Sequence, residues 1–208
     1  AGDKFFTLPL GKGDTILIQD YKAYANILSE VGNKAKAVEQ YKKIIALDPD
    51  KKEQYKEVAA ICAAENMYSD AAEFYKKFIE LSGDAADAQD YFTLGRYYLT
   101  GGAEAAADTI SMTKEEALAK STDLFKKADA TFAIVIERMP DSHLGYLMRA
   151  HANSQLDPQT TQGLAKPYYE GVVKVITAKA DQSEGDKKTL IEAYRYLAYY
   201  YYLQFVDH

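Results

Sequence analysis

Apolar residues recur three and four positions apart through most of this chain, the spacing that places them on one face of an α-helix. Ala37, Tyr41 and Ile44, for example, share one face, and lysines fall on the opposite face. Glycine, asparagine and proline separate such runs. Asp48-Pro49 ends one of them, because proline disfavours helix in the residue before it. The pattern predicts an all-α chain.

The helical pattern repeats with a period of 34 residues between positions 18 and 84. The identical pairs under that shift are Tyr21 with Tyr55, Lys22 with Lys56, Ala25 with Ala59, Ile27 with Ile61, Ala37 with Ala71, Glu39 with Glu73, Tyr41-Lys42-Lys43 with Tyr75-Lys76-Lys77, Ile45 with Ile79, Leu47 with Leu81 and Asp50 with Asp84. Self-similarity at this period is typical of helical repeat proteins. Ala25 with Ala37, and Ala59 with Ala71, are expected where two helix axes cross closely.

This pattern resembles the tetratricopeptide repeat (TPR), with a bulky fourth residue, a small eighth, aromatics at eleven and twenty-four, alanine at twenty and proline at thirty-two. Those places hold Tyr21, Ala25, Leu28, Ala37, Tyr41 and Pro49 in the first unit, and Tyr55, Ala59, Cys62, Ala71, Tyr75 and Gly83 in the second. The resemblance implies a right-handed superhelical solenoid of stacked antiparallel helix hairpins. It also implies a bacterial TPR protein with insertions in its third and fourth repeats.

The repeat pattern divides the chain into a single TPR array. Its parts are an N-terminal remnant and linker at 1–17, repeat 1 at 18–51, repeat 2 at 52–87, repeat 3 at 88–140, repeat 4 at 141–178 and the first helix of a fifth, incomplete repeat at 188–208. A polar linker is expected at 178–187, before that last helix. The apparent hairpin remnant at the start suggests that the chain is a piece of a longer repeat protein.

The third repeat departs from the period. Leu94-Gly95 fits its first helix, but the next small residue, Ala128, comes 33 positions later instead of 12, which indicates an insertion near 101–113. Thr113 and Glu116 form a capping-box pattern, which predicts a long second helix that begins near Lys114. The inserted residues are either a surface loop with an extended helix or part of a partner site.

The last helix, predicted from Thr189 to about Phe205, is apolar on nearly every side. A terminal helix of a repeat array should be polar on its outer face. We therefore expect either that its partner helix was lost when the chain was cut, or that another molecule covers it.

Composition and spacing argue against several classes of function. A net charge of −6 argues against nucleic-acid binding, which needs a basic face, and no apolar run reaches the 18 residues that a membrane span requires. The lone Cys62 excludes an internal disulfide. The three histidines have no metal-ligand spacing, and no nucleophile–base pair or phosphate loop is present. We expect no catalytic residues, no metal, no cofactor and no enzymatic activity.

The resemblance places candidate contacts on the first helix of each repeat, which in this family lines the concave groove. Carried over to this sequence, the family's contact positions are Lys22, Asn26, Lys56, Phe92, Arg96, Leu147, His151, Arg195, Tyr199 and Tyr202. They imply a scaffold that binds a peptide or protein segment. Glu57, Gln89 and Thr93 replace residues of the chaperone-type carboxylate clamp, so that partner class is rejected.

Two further hypotheses accompany this interpretation. The alternative function is a structural assembly protein that self-associates through its tyrosine-rich C-terminal helix. The sequence indicates a soluble protein and leaves its compartment open. Insertions of this kind also occur among exported bacterial TPR proteins, so the resemblance weakly favours the bacterial cell envelope or periplasm.

Overall fold

The computed structural model describes residues 18–206, so the predicted remnant and linker at 1–17 lies outside the described residues. Within that range the chain forms nine α-helices, one 3₁₀ turn at Gly83–Ala85 and no β-strand. The helices are α1 (Ile18–Glu30), α2 (Lys34–Leu47), α3 (Lys52–Ala64), α4 (Tyr68–Ser82), α5 (Ala88–Ala107), α6 (Lys114–Arg138), α7 (His143–Leu156), α8 (Lys166–Thr177) and α9 (Glu184–Val206). The all-α class and the pairing of helices into hairpins are confirmed.

The chain divides into two compact units, and the boundary in the sequence falls between Ser82 and Gly83. In the first unit, α1 pairs with α2 and α3 pairs with α4. Ala25, Ala37, Ala59 and Ala71, predicted at the close approaches, are all 0% exposed. A methyl group at these positions leaves room for the bulky side chains that fill the rest of the core.

The second unit begins with a long hairpin of α5 and α6, held by two glycine–aromatic contacts. A Cβ atom added to Gly95 would lie 2.6 Å from the Phe132 ring, and one added to Gly102 would lie 2.7 Å from the Phe125 ring. The two glycines are seven residues apart on α5, and the two rings are seven residues apart on α6. Seven residues make about two helical turns, so an antiparallel pair of helices brings the same contact together once every two turns.

This packing corrects the prediction of a surface loop over 101–113. α5 continues through Gly101 and Gly102 to Ala107, and only residues 108–113 join it to α6. Gly101 and Gly102 are both buried, and the Phe125 ring leaves no room for a side chain at Gly102. The prediction for α6 is confirmed: it begins at Lys114, behind a capping box of Thr113 and Glu116.

The remaining helices, α7, α8 and α9, surround one apolar core. Its buried members are Leu147, Ala150, Ala165, Tyr169, Val172, Ile176, Leu190, Ala193 and Leu197. α9 begins at Glu184, earlier than the predicted Thr189, because Ser183 and Asp186 cap each other's backbone N–H groups. The polar connection predicted over 178–187 therefore ends at Ser183. The capping-box spacing of Ser183 and Asp186 could have revealed this start.

Candidate protein-binding surface

The first helices of the second unit, α5, α7 and α9, lie side by side. α5 contacts α7, and the His151 Nε2 atom on α7 lies 2.6 Å from the Glu192 Oε1 atom on α9. These three helices carry seven of the ten contact residues carried over from the family pattern. In the second unit these seven predicted contact residues therefore lie on neighbouring helices, so the exposure and contacts of each can be compared on one surface.

On α5, the two predicted contact residues differ in what they offer a partner. Phe92 is half-buried, and its ring packs edge-on against Phe132, with 5.8 Å between ring centroids. Arg96 is exposed one turn further along the helix. Arg96 is thus the available group, whereas Phe92 helps to hold α5 against α6.

On α7, the predicted contact Leu147 is instead a core residue. It is 9% exposed and packs in the cluster with Ala150. Four other residues of α7 reach the surface at helical spacing: Leu144, Met148, His151 and Gln155. Met148 is more exposed than Leu147, but it also packs partly against this core, so Leu144 is the exposed apolar residue of α7.

His151 joins two neighbouring helices through Glu192. The Glu192 Oε1 atom also accepts a hydrogen bond from the Tyr169 hydroxyl on α8, at 3.0 Å. Burial, followed by the charge of Glu192, raises the pKa of Tyr169 above its usual range, so the tyrosine remains a neutral donor. This cluster fixes α7, α8 and α9 to one another and leaves one edge of the His151 ring at the surface.

On α9, the three predicted contacts Arg195, Tyr199 and Tyr202 are all exposed. Further along the helix, Tyr201 donates a hydrogen bond to Glu170 on α8, and Lys166 lies 5.7 Å from the Tyr201 ring centroid. The C-terminal part of α9 is therefore tied to α8 on one side and open on the other.

In the first unit, the three predicted contacts already have intramolecular partners. Both carboxylate oxygens of Glu57 lie 2.7 Å from the Lys22 Nζ atom. The side chain of Asn26 accepts a hydrogen bond from Tyr41, and the Lys56 Nζ atom lies 4.6 Å from the centre of the Phe78 ring. A ligand at this surface would have to compete with these contacts.

One polar cluster in the second unit was missed by the sequence analysis. The Arg149 guanidinium donates to both oxygens of Asp129, at 2.8 and 3.0 Å, and lies 4.2 Å from the Tyr168 ring centroid. Asn153 also donates to Asp129. Desolvation lowers the pKa of Arg149, but the hydrogen bond and the charge of Asp129, with the charges of Tyr168 and Glu137, together outweigh it and raise the pKa. The sequence did contain a signal for this cluster, because Arg149 occupies a position at which the TPR pattern usually has leucine.

Two open grooves of the second unit have none of the ten predicted contact residues in their lining. One, of about 720 Å³, runs beside α8 and is lined in part by Tyr146, Gly171 and Lys174. The other, of about 570 Å³, lies at the tip of the long hairpin, where Ile110 is 97% exposed. The second groove keeps open the hypothesis that the inserted residues form part of a partner site.

Comparison with known proteins points to one class of fold. Over 98% of its length the chain is similar to a solved structure from Cytophaga hutchinsonii, at 27% identity and a TM-score of 0.58, covering 68% of that chain. That structure is described as the C-terminal part of a TPR repeat-containing protein. No protein-family model matches the chain, and no curated protein does either.

A second similar structure is YrrB, described as a TPR protein with an unusual peptide-binding site. Its identity is 17%, its TM-score is 0.30, and the match covers 89% of this chain and 94% of that one. A likeness at that TM-score carries no inference about this chain. Separately, no helix between residues 18 and 206 combines the length and apolarity that crossing a membrane requires.

Proposed function

Since this chain is a TPR-like helical-repeat protein, of a class that serves as scaffolds for protein interaction, we propose that it binds an extended segment of another protein. The segment lies along the exposed face of α5, α7 and α9. The observation that carries this proposal is the continuity of that face, which the His151–Glu192 contact extends from α7 to α9.

The chemistry of the face indicates what kind of segment fits. Arg96 and Arg195 are exposed cations at its two ends, and Leu144 and Met148 provide apolar surface between them. Arginine and aromatic residues carry much of the binding energy in protein interfaces. We therefore expect a segment with apolar side chains at its centre and at least one carboxylate that reaches Arg96.

The experiment uses a display library of random peptides as the probe. Peptides selected on the wild-type protein are titrated against the Arg96→Glu variant and against a Lys126→Glu control, which makes the same charge change on the exposed part of α6. A charge-assisted hydrogen bond contributes about 1.5–3 kcal/mol, so Arg96→Glu should weaken binding about tenfold or more. Equal affinity for both variants would contradict the assignment of the groove.

A second candidate function is assembly of copies of this chain through α9. It is favoured by the exposure of large apolar residues on that helix, including Phe205, which is 83% exposed. This candidate uses a different face of α9 from the peptide-binding proposal, apart from Arg195 and Tyr202, which lie at the border of both.

Localisation in the bacterial cell envelope remains a hypothesis that is supported only by the resemblance to exported TPR proteins. Fractionation of cells that produce this protein natively tests it, with an antibody against residues 18–206 as the reagent. Recovery in the periplasmic or outer-membrane fraction is the expected result, and recovery with cytoplasmic markers would contradict the hypothesis.

A further inference from the structure

The exposed residues of α9 form a stripe that is symmetric about Ala198. Positions three, four and seven residues before and after Ala198 are all exposed: Ile191, Tyr194, Arg195, Tyr201, Tyr202 and Phe205. These spacings place every member on the same face of the helix as Ala198. Five of the six are large apolar residues, and a stripe with this symmetry can match a second copy of itself.

An antiparallel pair of α9 helices centred on Ala198 brings complementary groups together. Ile191 of one copy meets Phe205 of the other, and Tyr194 meets Tyr202. The only charged member of the stripe, Arg195, meets Tyr201 at the edge of the stripe, where the Tyr201 hydroxyl already donates to Glu170 and Lys166 of the same copy lies 5.7 Å from its ring centroid. The two arginines lie about 9 Å apart along the helix axes, from the 1.5 Å rise per residue, so like charges do not face each other.

The size of residue 198 matters most, because this position lies on the two-fold axis. There the two helices approach closest, and the exposed methyl group of Ala198 lets their axes come within about 8 Å. Aromatic side chains offer about 150–250 Å² each, so five half-exposed residues supply roughly 500 Å² per copy. A pair then buries roughly 1,000 Å², the least expected of a specific interface.

We infer that two copies of this chain pair through α9, in antiparallel orientation and in the register that places Ala198 against Ala198. The inference rests on the second candidate function, self-association, and specifies the surface and its register. It does not depend on the peptide-binding proposal, which is tested at Arg96 on α5.

Cysteine cross-linking tests the register directly. Disulfide formation requires Cβ atoms about 3.5–4.5 Å apart, so Ala198→Cys should form a covalent dimer under mild oxidation. Ile191→Cys alone should not, because in this register its two copies lie about 21 Å apart along the axis. A mixture of Ile191→Cys with Phe205→Cys should cross-link. The native Cys62 is buried and contributes little background.

Sedimentation equilibrium of the full chain tests the association itself. The wild type should show a mass that rises with concentration towards twice the 23.2 kDa of one chain. Ala198→Arg should remain a monomer, because two arginines would meet on the axis. The matched control is Tyr199→Arg, a residue 51% exposed on the same helix but about 100° around the helix from Ala198, outside the stripe. It should associate as the wild type does.

Several results would overturn the inference. A wild type that stays monomeric at all concentrations excludes pairing and leaves α9 to a different partner. Cross-linking of Ile191→Cys with itself shows a parallel pair instead. Association that survives Ala198→Arg, or that Tyr199→Arg abolishes equally, places the interface elsewhere. None of these results affects the peptide titrations with Arg96→Glu, so the two proposals fail separately.

Discussion

In the hairpins of the first unit, alanine occupies the positions where paired helices approach, whereas in the α5–α6 hairpin of the second unit glycine occupies them. Ala37 and Ala71 belong to helices of 14 and 15 residues, while α5 and α6 have 20 and 25. In the long hairpin, a glycine facing an aromatic ring occurs twice, seven residues apart. The comparison teaches that a longer helix pair is held together by repeating one contact along its length.

The largest expected loss of stability is at Phe132, the aromatic residue of the Gly95–Phe132 contact between α5 and α6. Phe132 is fully buried against Gly95 and packs against Phe92, so Phe132→Ala should lower the free energy of unfolding by about 3–5 kcal/mol. Chemical denaturation followed by circular dichroism measures the loss. A loss below about 1 kcal/mol would show that the long hairpin does not depend on this contact.

A double-mutant cycle at the same contact sharpens the comparison. In the wild type, Gly95→Ala places a methyl group 2.6 Å from the fully buried Phe132 ring, and overpacking of this kind costs about 1–3 kcal/mol. In the Phe132→Ala background the obstacle is absent, so the better helix propensity of alanine should stabilise by up to about 1 kcal/mol. The same sign in both backgrounds would contradict the account.

In the first unit, Ala71→Leu provides the corresponding test of alanine. Ala71 is fully buried, so the larger side chain should force its neighbours apart and lower the free energy of unfolding by about 1–3 kcal/mol. Ala64→Leu, at the exposed end of α3, is the control and should change stability little. Thermal resistance equal to that of the wild type in Ala71→Leu would refute the close helix approach.

The ion pairs of the two units should differ in strength. Asp129→Ala leaves the partly buried Arg149 and the buried Asn153 without their shared acceptor, so it should cost about 1–2 kcal/mol. Lys22→Ala breaks the more exposed pair with Glu57 in the first unit and should cost well under about 1 kcal/mol. Equal losses in urea denaturation would show that burial does not distinguish the two pairs.

The smallest expected effect is on the melting temperature at acid pH. Hydrogen bonds from Lys179 and Ser183 hold the pKa of Asp186 below its usual range, and the charged carboxylate caps α9. A depressed pKa means that this stabilisation is complete above the ordinary aspartate pKa of about 4 and is lost as the pH falls below it. Melting temperatures between pH 7 and pH 2 should therefore fall less in Asp186→Asn than in the wild type, and parallel curves would contradict this.

Local signals explain how much of the fold could be predicted from the sequence. The 34-residue period and the Thr113–Glu116 capping box depend on residues close together in the chain, and they predicted hairpins and the start of α6 correctly. Gly101-Gly102 resembled a helix break in isolation. Only the ring of Phe125, 23 residues later than Gly102, explains why glycine continues the helix there.

The candidate site was less predictable, because its residues are positioned by distant partners. Leu147 followed the family pattern, but it is buried in the core of α7, α8 and α9, and the neighbouring Met148 is only partly exposed. The His151–Glu192 contact joins residues 41 positions apart, and no local spacing indicates it. The sequence could identify the helices on which the proposed surface lies, but not which side of each helix faces out.

The most direct test of the central claim is hydrogen–deuterium exchange of the full chain with and without a peptide selected from the display library. Binding along the first helices should slow amide exchange in segments 88–103, 143–156 and 188–202, and should leave the outer helix α6 unchanged between 118 and 130. Protection confined to α6, α8 or the hairpin tip at 108–113 would contradict the claim that the face of α5, α7 and α9 binds the partner.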